Sequence, residues 1–167
     1  MFSVYKNILP EDDFLIEYEM IRDSSWTFNN ISSKSENAIT FWYKNLIEKP
    51  YYSEFLFKRI QKLTNKTFEL ISVNANGQSY GQCGDFHRDA LQDDCYTFLI
   101  YMNPIWQPNW EGFTIFQEND EIQSYLPVPN SGVLFKSNML HYGSDPSIHC
   151  KQLRISVAFK LKEINNV

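Results

Sequence analysis

Three side chains in this sequence could meet on one metal ion: His87, Asp89 and His141. His87 and Asp89 flank Arg88, and on extended backbone residues i and i+2 project from the same face. An imidazole and a carboxylate can then reach one ion while Arg88 points away. A second imidazole from another strand completes three ligands on one side of an octahedron, leaving the other side open for substrate and gas. Two histidines, one carboxylate and open positions suit a non-haem iron(II) ion. His149 competes for the place of the second imidazole. It sits among Pro146, Ser147 and Ile148, in what reads as a loop, whereas His141 follows a strand-like run from Gly132 to Leu140. His141 is therefore the expected ligand and His149 a surface residue.

The last apolar run carries the next candidate. Leu153, Ile155, Val157, Phe159 and Leu161 alternate with Arg154, Ser156, Ala158 and Lys160. One reading is an amphipathic strand with its polar face in water. The other turns that face into a barrel that holds a charged ligand, with the apolar face packed outward against the N-terminal helices. If the open metal positions take a 2-oxoacid, its far carboxylate must be fixed away from the metal. The planar fork of Arg154 suits that task through two parallel, charge-assisted hydrogen bonds, and Ser156 on the same face can add a hydroxyl donor.

The H-x-D triplet alone is weak, since it arises by chance in many chains. H-R-D also opens the catalytic loop of protein kinases, but the asparagine that loop needs is Asp94 here, and no D-F-G or Gly-rich nucleotide loop is present.

The elements that must position these groups fall into two halves. Pro10 to Arg22 reads as a helix, with Pro10 at its start, Glu11, Asp12 and Asp13 in the first turn, and Phe14, Leu15, Tyr18 and Ile21 on one face. Ser24 to Glu36 reads as loop, Ala38 to Ile47 is ambiguous, and Pro50 to about Leu63 is a second helix. From Thr67 the period changes to strands: 67–73, 96–102, 113–116, 122–128, 132–135 and 152–161. Asn74 to Gly84 reads as a loop leading into His87, and Trp106 to Trp110 as a turn. Many short strands with close turns predict a sandwich or barrel.

Composition bounds the rest. At 167 residues with 43% apolar side chains, the chain is expected to form one globular domain over 1–167, with 1–66 as helical support and 67–162 as the β core. A net charge of −5 argues against general affinity for nucleic acid. No apolar run approaches the roughly 18 residues that span a bilayer. Three cysteines without C-x-x-C spacing argue against a disulfide framework or zinc knuckle. The first thirteen residues show no basic-then-apolar signal pattern, and the cysteine usage makes a reducing cytoplasm the expected compartment.

In order along the chain stand His87-Arg88-Asp89, Ile100-Tyr101-Met102-Asn103, Gly132-Val133-Leu134-Phe135, Leu140-His141 and Arg154-Ile155-Ser156. Together they resemble the 2-oxoglutarate and iron(II)-dependent dioxygenases, in particular the prolyl-4-hydroxylase-like branch. The resemblance implies a mainly β fold, a double-stranded β-helix or jelly roll, supported by N-terminal helices. It implies iron(II) on His87, Asp89 and His141, with 2-oxoglutarate and dioxygen as cosubstrates and ascorbate in support. Arg154 would bind the distal carboxylate, and Tyr101 matches a tyrosine that helps to hold the cosubstrate. Asn74 and Asn76 stand roughly where relatives place another cosubstrate contact, with Tyr80 a weaker candidate.

Two departures qualify the match. Where many relatives carry Gly-Gly-Glu-Thr after the tryptophan turn, this chain has Glu111-Gly112-Phe113-Thr114. Where the nucleic-acid demethylases of the superfamily carry a second arginine, it has Lys160. The expected activity is hydroxylation of an aliphatic carbon, in a prolyl residue of a protein or peptide. The alternatives are a free amino acid or other small molecule as substrate, or a non-catalytic barrel module with a damaged ligand position. No nucleic-acid or membrane partner is expected.

Overall fold

The longest strands run side by side at the centre of the larger sheet. In a computed structural model that describes residues 1–33, 36 and 38–164, β4 (Phe68–Gln78) and β10 (Arg154–Glu163) pair antiparallel along their length. Around them lie β1 (Ser3–Lys6), β2 (Thr27–Asn30), β3 (Phe41–Asn45), β5 (Cys95–Tyr101) and β8 (Ser131–Lys136), in the order β1-β8-β5-β10-β4-β3-β2. A second sheet of β6 (Thr114–Glu118), β7 (Glu121–Tyr125) and β9 (Leu140–Gly143) is ordered β7-β6-β9. Every named pairing is antiparallel. Two such sheets enclosing one cavity form the expected double-stranded β-helix.

The alternation on β10 decides which way the large sheet faces. Ile155, Val157, Phe159 and Leu161 enter a buried cluster with Tyr18, Ile21, Tyr52, Leu56 and Ile60 from the helical half. Burying such side chains contributes about 1.5–3 kcal/mol each, so the apolar face is committed to the helices. Arg154, Ser156, Ala158 and Lys160 are thereby turned to the cavity between the sheets. The reading that placed this polar face in water is excluded, because Arg154 is only 2% exposed.

Helix α1 (Glu11–Asp23) begins behind Pro10, with three acids in its first turn and Arg22 in its last. It stops where Ser24 turns extended and its hydroxyl donates to the carbonyls of Met20 and Ile21. Tyr18 and Ile21 are buried as expected, but Leu15 is 52% exposed. Glu17 takes the buried place beside Tyr18, accepting a 2.6 Å hydrogen bond from Tyr52 Oη. The second helical stretch opens as a π-helical turn over Tyr51–Leu56 and continues as α2 (Phe57–Thr64). Asn65 closes it in the left-handed conformation.

Three expectations are corrected. The stretch expected to be loop from Ser24 to Glu36 contains β2, which pairs with β3; residues 34, 35 and 37 lie outside the described set. Asn74 to Gln78 is not loop but the second half of β4. β1 was not anticipated; it caps the sheet edge against β8. Among the described residues, no helix is long and apolar enough to cross a membrane.

Candidate metal centre and its cavity

His87, Asp89 and His141 come together, with one ligand atom from each within 4.8 Å of the others. His141 lies on β9. His87 is not within a ladder but forms an isolated antiparallel bridge to His141. Asp89 follows, tied by its backbone N–H to Ser137 O at 2.9 Å. The exposed His149 is not part of the cluster.

Both rings are oriented by the same device. His87 Nδ1 lies 2.8 Å from Asp85 O and His141 Nδ1 lies 2.9 Å from Met139 O. A carbonyl only accepts, so each neutral ring carries its proton on Nδ1 and turns a bare Nε2 inward, the form a metal needs. Those Nε2 atoms lie 3.4 and 3.5 Å from the two oxygens of Asp89. Burial pushes His141 down to about 4 despite the opposing charge of Asp89, so the ring is neutral at pH 7. Burial alone would raise the Asp89 carboxyl, but the adjoining Lys160 charge opposes it and the carboxyl is held well below the usual carboxylate range. Two imidazoles and an ionised carboxylate are a donor set that fits a divalent metal.

A cavity of about 360 Å³ opens beside this cluster. Asn74, Asn76 and Gln78 line it from alternate positions of β4, and Arg154, Ser156, Ala158 and Lys160 from alternate positions of β10. Among the described residues, Arg154 is held at its base by neutral groups only: Nε donates to Gly112 O at 2.7 Å, Nη1 to Gln78 Oε1 at 2.8 Å, and Nη2 to Thr114 Oγ1 at 3.1 Å. Burial pulls its guanidinium below its usual range, opposed only by Tyr101. A buried cation is costly unless an anion joins it, so this cavity suits a carboxylate.

Of the other anticipated residues, Tyr101 is buried beside that guanidinium, 5.7 Å from ring centroid to Cζ, and donates to Thr114 Oγ1 at 2.8 Å. Ser156 lines the cavity opposite Tyr101 in the β5–β10 register. Asn74 accepts from Tyr43 Oη at 2.7 Å and opposes Ala158, whereas Gln78 opposes Arg154. Asn76 lines the cavity; Tyr80 is 62% exposed and does not. The tryptophan turn acts indirectly. Trp106 Nε1 donates to Glu111 O at 2.9 Å, fixing the bend that presents Gly112 O to Arg154. Gly112 has φ +70°, and a Cβ there would come within 3.0 Å of Arg154 Cδ.

Sequence reasoning missed Gln78, Thr97 and Thr114. Alternation of amides at 74, 76 and 78 was the available signal for Gln78. Nothing local marks Thr97 or Thr114.

The sequence profile of a family described as the 2OG-Fe(II) oxygenase superfamily matches residues 71–160, more than half of the chain. No curated protein sequence matches it. Among solved structures, a Trichoplax adhaerens prolyl hydroxylase in complex with a hypoxia inducible factor peptide fragment is 15% identical, with a TM-score of 0.71 over 97% of this chain and 83% of that one. A Pseudomonas putida prolyl-4-hydroxylase is 16% identical, with a TM-score of 0.71 over 96% and 92%. A Burkholderia pseudomallei oxidoreductase of the 2OG-Fe(II) oxygenase family reaches 0.74 at 8% identity, over 99% and 86%. At these identities the likeness is one of fold.

Proposed function

This chain belongs to the 2OG-Fe(II) oxygenase superfamily, and from that membership we propose that it hydroxylates a prolyl residue in a protein or peptide. The observation that carries the reading is one cavity holding both the three-donor cluster and a buried guanidinium whose hydrogen-bond partners are all neutral. His87, Asp89 and His141 would hold iron(II). Bound there with 2-oxoglutarate and dioxygen, it supplies the oxidising chemistry, by which one oxygen atom enters a C–H bond and 2-oxoglutarate becomes succinate and carbon dioxide.

The protein's part is positioning. Arg154 pairs with the distal carboxylate of 2-oxoglutarate, with Gln78, Thr114 and Gly112 O holding the guanidinium in place. Tyr101 and Ser156 flank that carboxylate. The two sheets exclude bulk water from this end. Tyr43, Asn74 and Asn76 form an amide-rich wall of the cavity. The prolyl assignment draws support from the two prolyl hydroxylase structures that overlay nearly the whole chain. The amide-rich wall favours a second substrate class, a free amino acid or another small polar molecule. A non-catalytic module has no support, since all three donors and Arg154 are in place.

The test incubates the protein with iron(II), ascorbate and labelled 2-oxoglutarate, together with prolyl peptides and, separately, free amino acids. Iron-dependent release of labelled carbon dioxide with a gain of one oxygen atom in a peptide is the expected result. A gain confined to free amino acids selects the second class, and no release under any condition overturns both.

A further inference from the structure

One oxygen of Asp89 carries most of that residue's contacts. Thr97 Oγ1 donates to Asp89 Oδ2 at 2.6 Å, and the Lys160 ammonium is in direct contact with the same atom. Thr97 and Lys160 are cross-strand partners in the β5–β10 register, so their side chains share the inward face. Lys160 follows Arg154, Ser156 and Ala158 in the uninterrupted inward alternation of β10, and the irregularity in the β4–β10 pairing falls at Ile71 of β4. Lys160 Nζ also reaches Thr97 Oγ1 at 3.4 Å, and Thr97 Oγ1 lies 3.1 Å from Ser137 Oγ. The Asp89 side chain is 8% exposed and that of Lys160 is 28% exposed.

We propose that these two neighbours act on Asp89 in opposite senses: Thr97 is a positioning residue that turns the carboxylate towards the metal, and Lys160 is a resident counter-cation that an incoming divalent ion must outcompete. The inference rests on Asp89 being a metal ligand. A neutral hydroxyl bound to Oδ2 fixes the carboxylate's rotation and leaves Oδ1 turned towards His87, at no electrostatic cost to a cation. Hydroxyls and backbone groups that brace a ligand in this way are worth roughly 10–100-fold in metal affinity.

Lys160 also braces Oδ2, but it carries a positive charge into the cavity that must accept two more. Repulsion scales with the product of the charges and is stronger in a partly dry cavity than in water. The repulsion between an ammonium and a divalent ion held by the same carboxylate exceeds what one orienting hydrogen bond contributes. In the metal-free protein the balance is reversed: Lys160 neutralises a buried carboxylate that would otherwise lack a counter-charge. The chain is thereby built to stay folded without metal and to hold the metal exchangeably.

The experiment measures Mn(II) binding to the full metal-free chain from the magnetic-resonance signal of the free ion. Wild type is compared with Lys160→Met, Lys160→Gln, Lys160→Arg, Thr97→Val and Thr97→Ser. Lys160→Met and Lys160→Gln should bind Mn(II) at least roughly tenfold more tightly, and Lys160→Arg should stay close to wild type. Thr97→Val should bind about 10–100-fold more weakly, with Thr97→Ser recovering most of the loss. Thermal unfolding gives a second readout: Lys160→Met should lower the midpoint of the metal-free protein, and saturating Mn(II) should raise that midpoint further than in wild type. Binding by both neutral Lys160 variants that is equal to or weaker than wild type would overturn the proposal. Failure of wild type itself to bind Mn(II) would overturn the metal-site reading beneath it.

Discussion

His87 and His141 exchange both of their backbone hydrogen bonds, His87 N to His141 O at 2.9 Å and His141 N to His87 O at 3.0 Å. This single antiparallel bridge sets two rings from distant parts of the chain 4.4 Å apart, centroid to centroid. Each ring is then anchored by a carbonyl two residues before it. The paired imidazoles are a property of the backbone, and the carboxylate of Asp89 is added from the same bridged segment.

Removal of either ring should empty the site. His87→Ala and His141→Ala should each reduce bound iron(II) or Mn(II) to a small fraction of one per chain, with the fold retained. The exposed His149 should be replaceable by alanine without effect. Metal content after equilibrium dialysis is the measurement. Full metal content in His141→Ala with loss in His149→Ala would reverse the assignment.

Arg154→Ala should leave metal binding intact and weaken 2-oxoglutarate. Breaking one side of a buried ion pair costs about 3–5 kcal/mol. At about 1.4 kcal/mol per tenfold, affinity should fall on the order of a hundred- to thousandfold. Arg154→Lys should recover part of this, since the charge returns without the fork. Gln78→Glu is the informative companion: its carboxylate would meet Arg154 Nη1, now 2.8 Å from the Gln78 amide oxygen, and compete with the cosubstrate. It should weaken 2-oxoglutarate without loss of thermal stability. Titration of the iron–cosubstrate absorption band without oxygen reads all three variants.

The stability of the metal-free protein should fall as pH is lowered from about 6.5 towards 4. Burial pushes His141 down to about 4 from an ordinary 6.5. Across that window the unfolded chain takes up a proton that the folded chain refuses, which costs the folded state up to roughly 3 kcal/mol at the acid end. Asp89, also depressed in the folded state, extends the loss below its ordinary 3.8. Glu17, raised by burial, pulls the other way, so the variant His141→Gln isolates the effect. Urea midpoints across the window should slope less steeply in that variant; an unchanged slope would show that the proton is taken up elsewhere.

Glu111 holds φ +57° and ψ −126°, a backbone conformation that glycine adopts without strain. Its side chain is exposed, and the bend serves to present Gly112 to Arg154. Strain of order 1–3 kcal/mol at such a residue exceeds the roughly 0.5–1 kcal/mol that a glycine loses in chain entropy. Glu111→Gly should therefore stabilise the protein by about 1 kcal/mol, a rise in midpoint of about 2–4 °C for a chain of this size. Differential scanning calorimetry decides it. Gly112→Ala should do the opposite and disturb 2-oxoglutarate binding, because its Cβ meets Trp106 and Arg154.

The sequence by itself determined the residues of the metal cluster, the two helical stretches, and the two faces of β10. The last of these was legible because Ile155, Val157, Phe159 and Leu161 alternate without interruption, and only a buried face demands that. The H-x-D spacing was legible as a donor pair, although the segment is no strand: His87 forms an isolated bridge to His141 and Asp89 lies in a bend. Tertiary structure decided where the other face of β10 looks. Hydrophobic alternation separates what is packed against a core from what is not, but a polar face is written the same way whether it meets water or a polar cavity. For the same reason Asn74, Asn76 and Gln78 read as loop although they form a cavity wall, and Glu17 was passed over although it is buried against Tyr52. The contacts of Lys160 and Thr97 with Asp89 depend on the register of β5 against β10, which no local stretch of residues encodes.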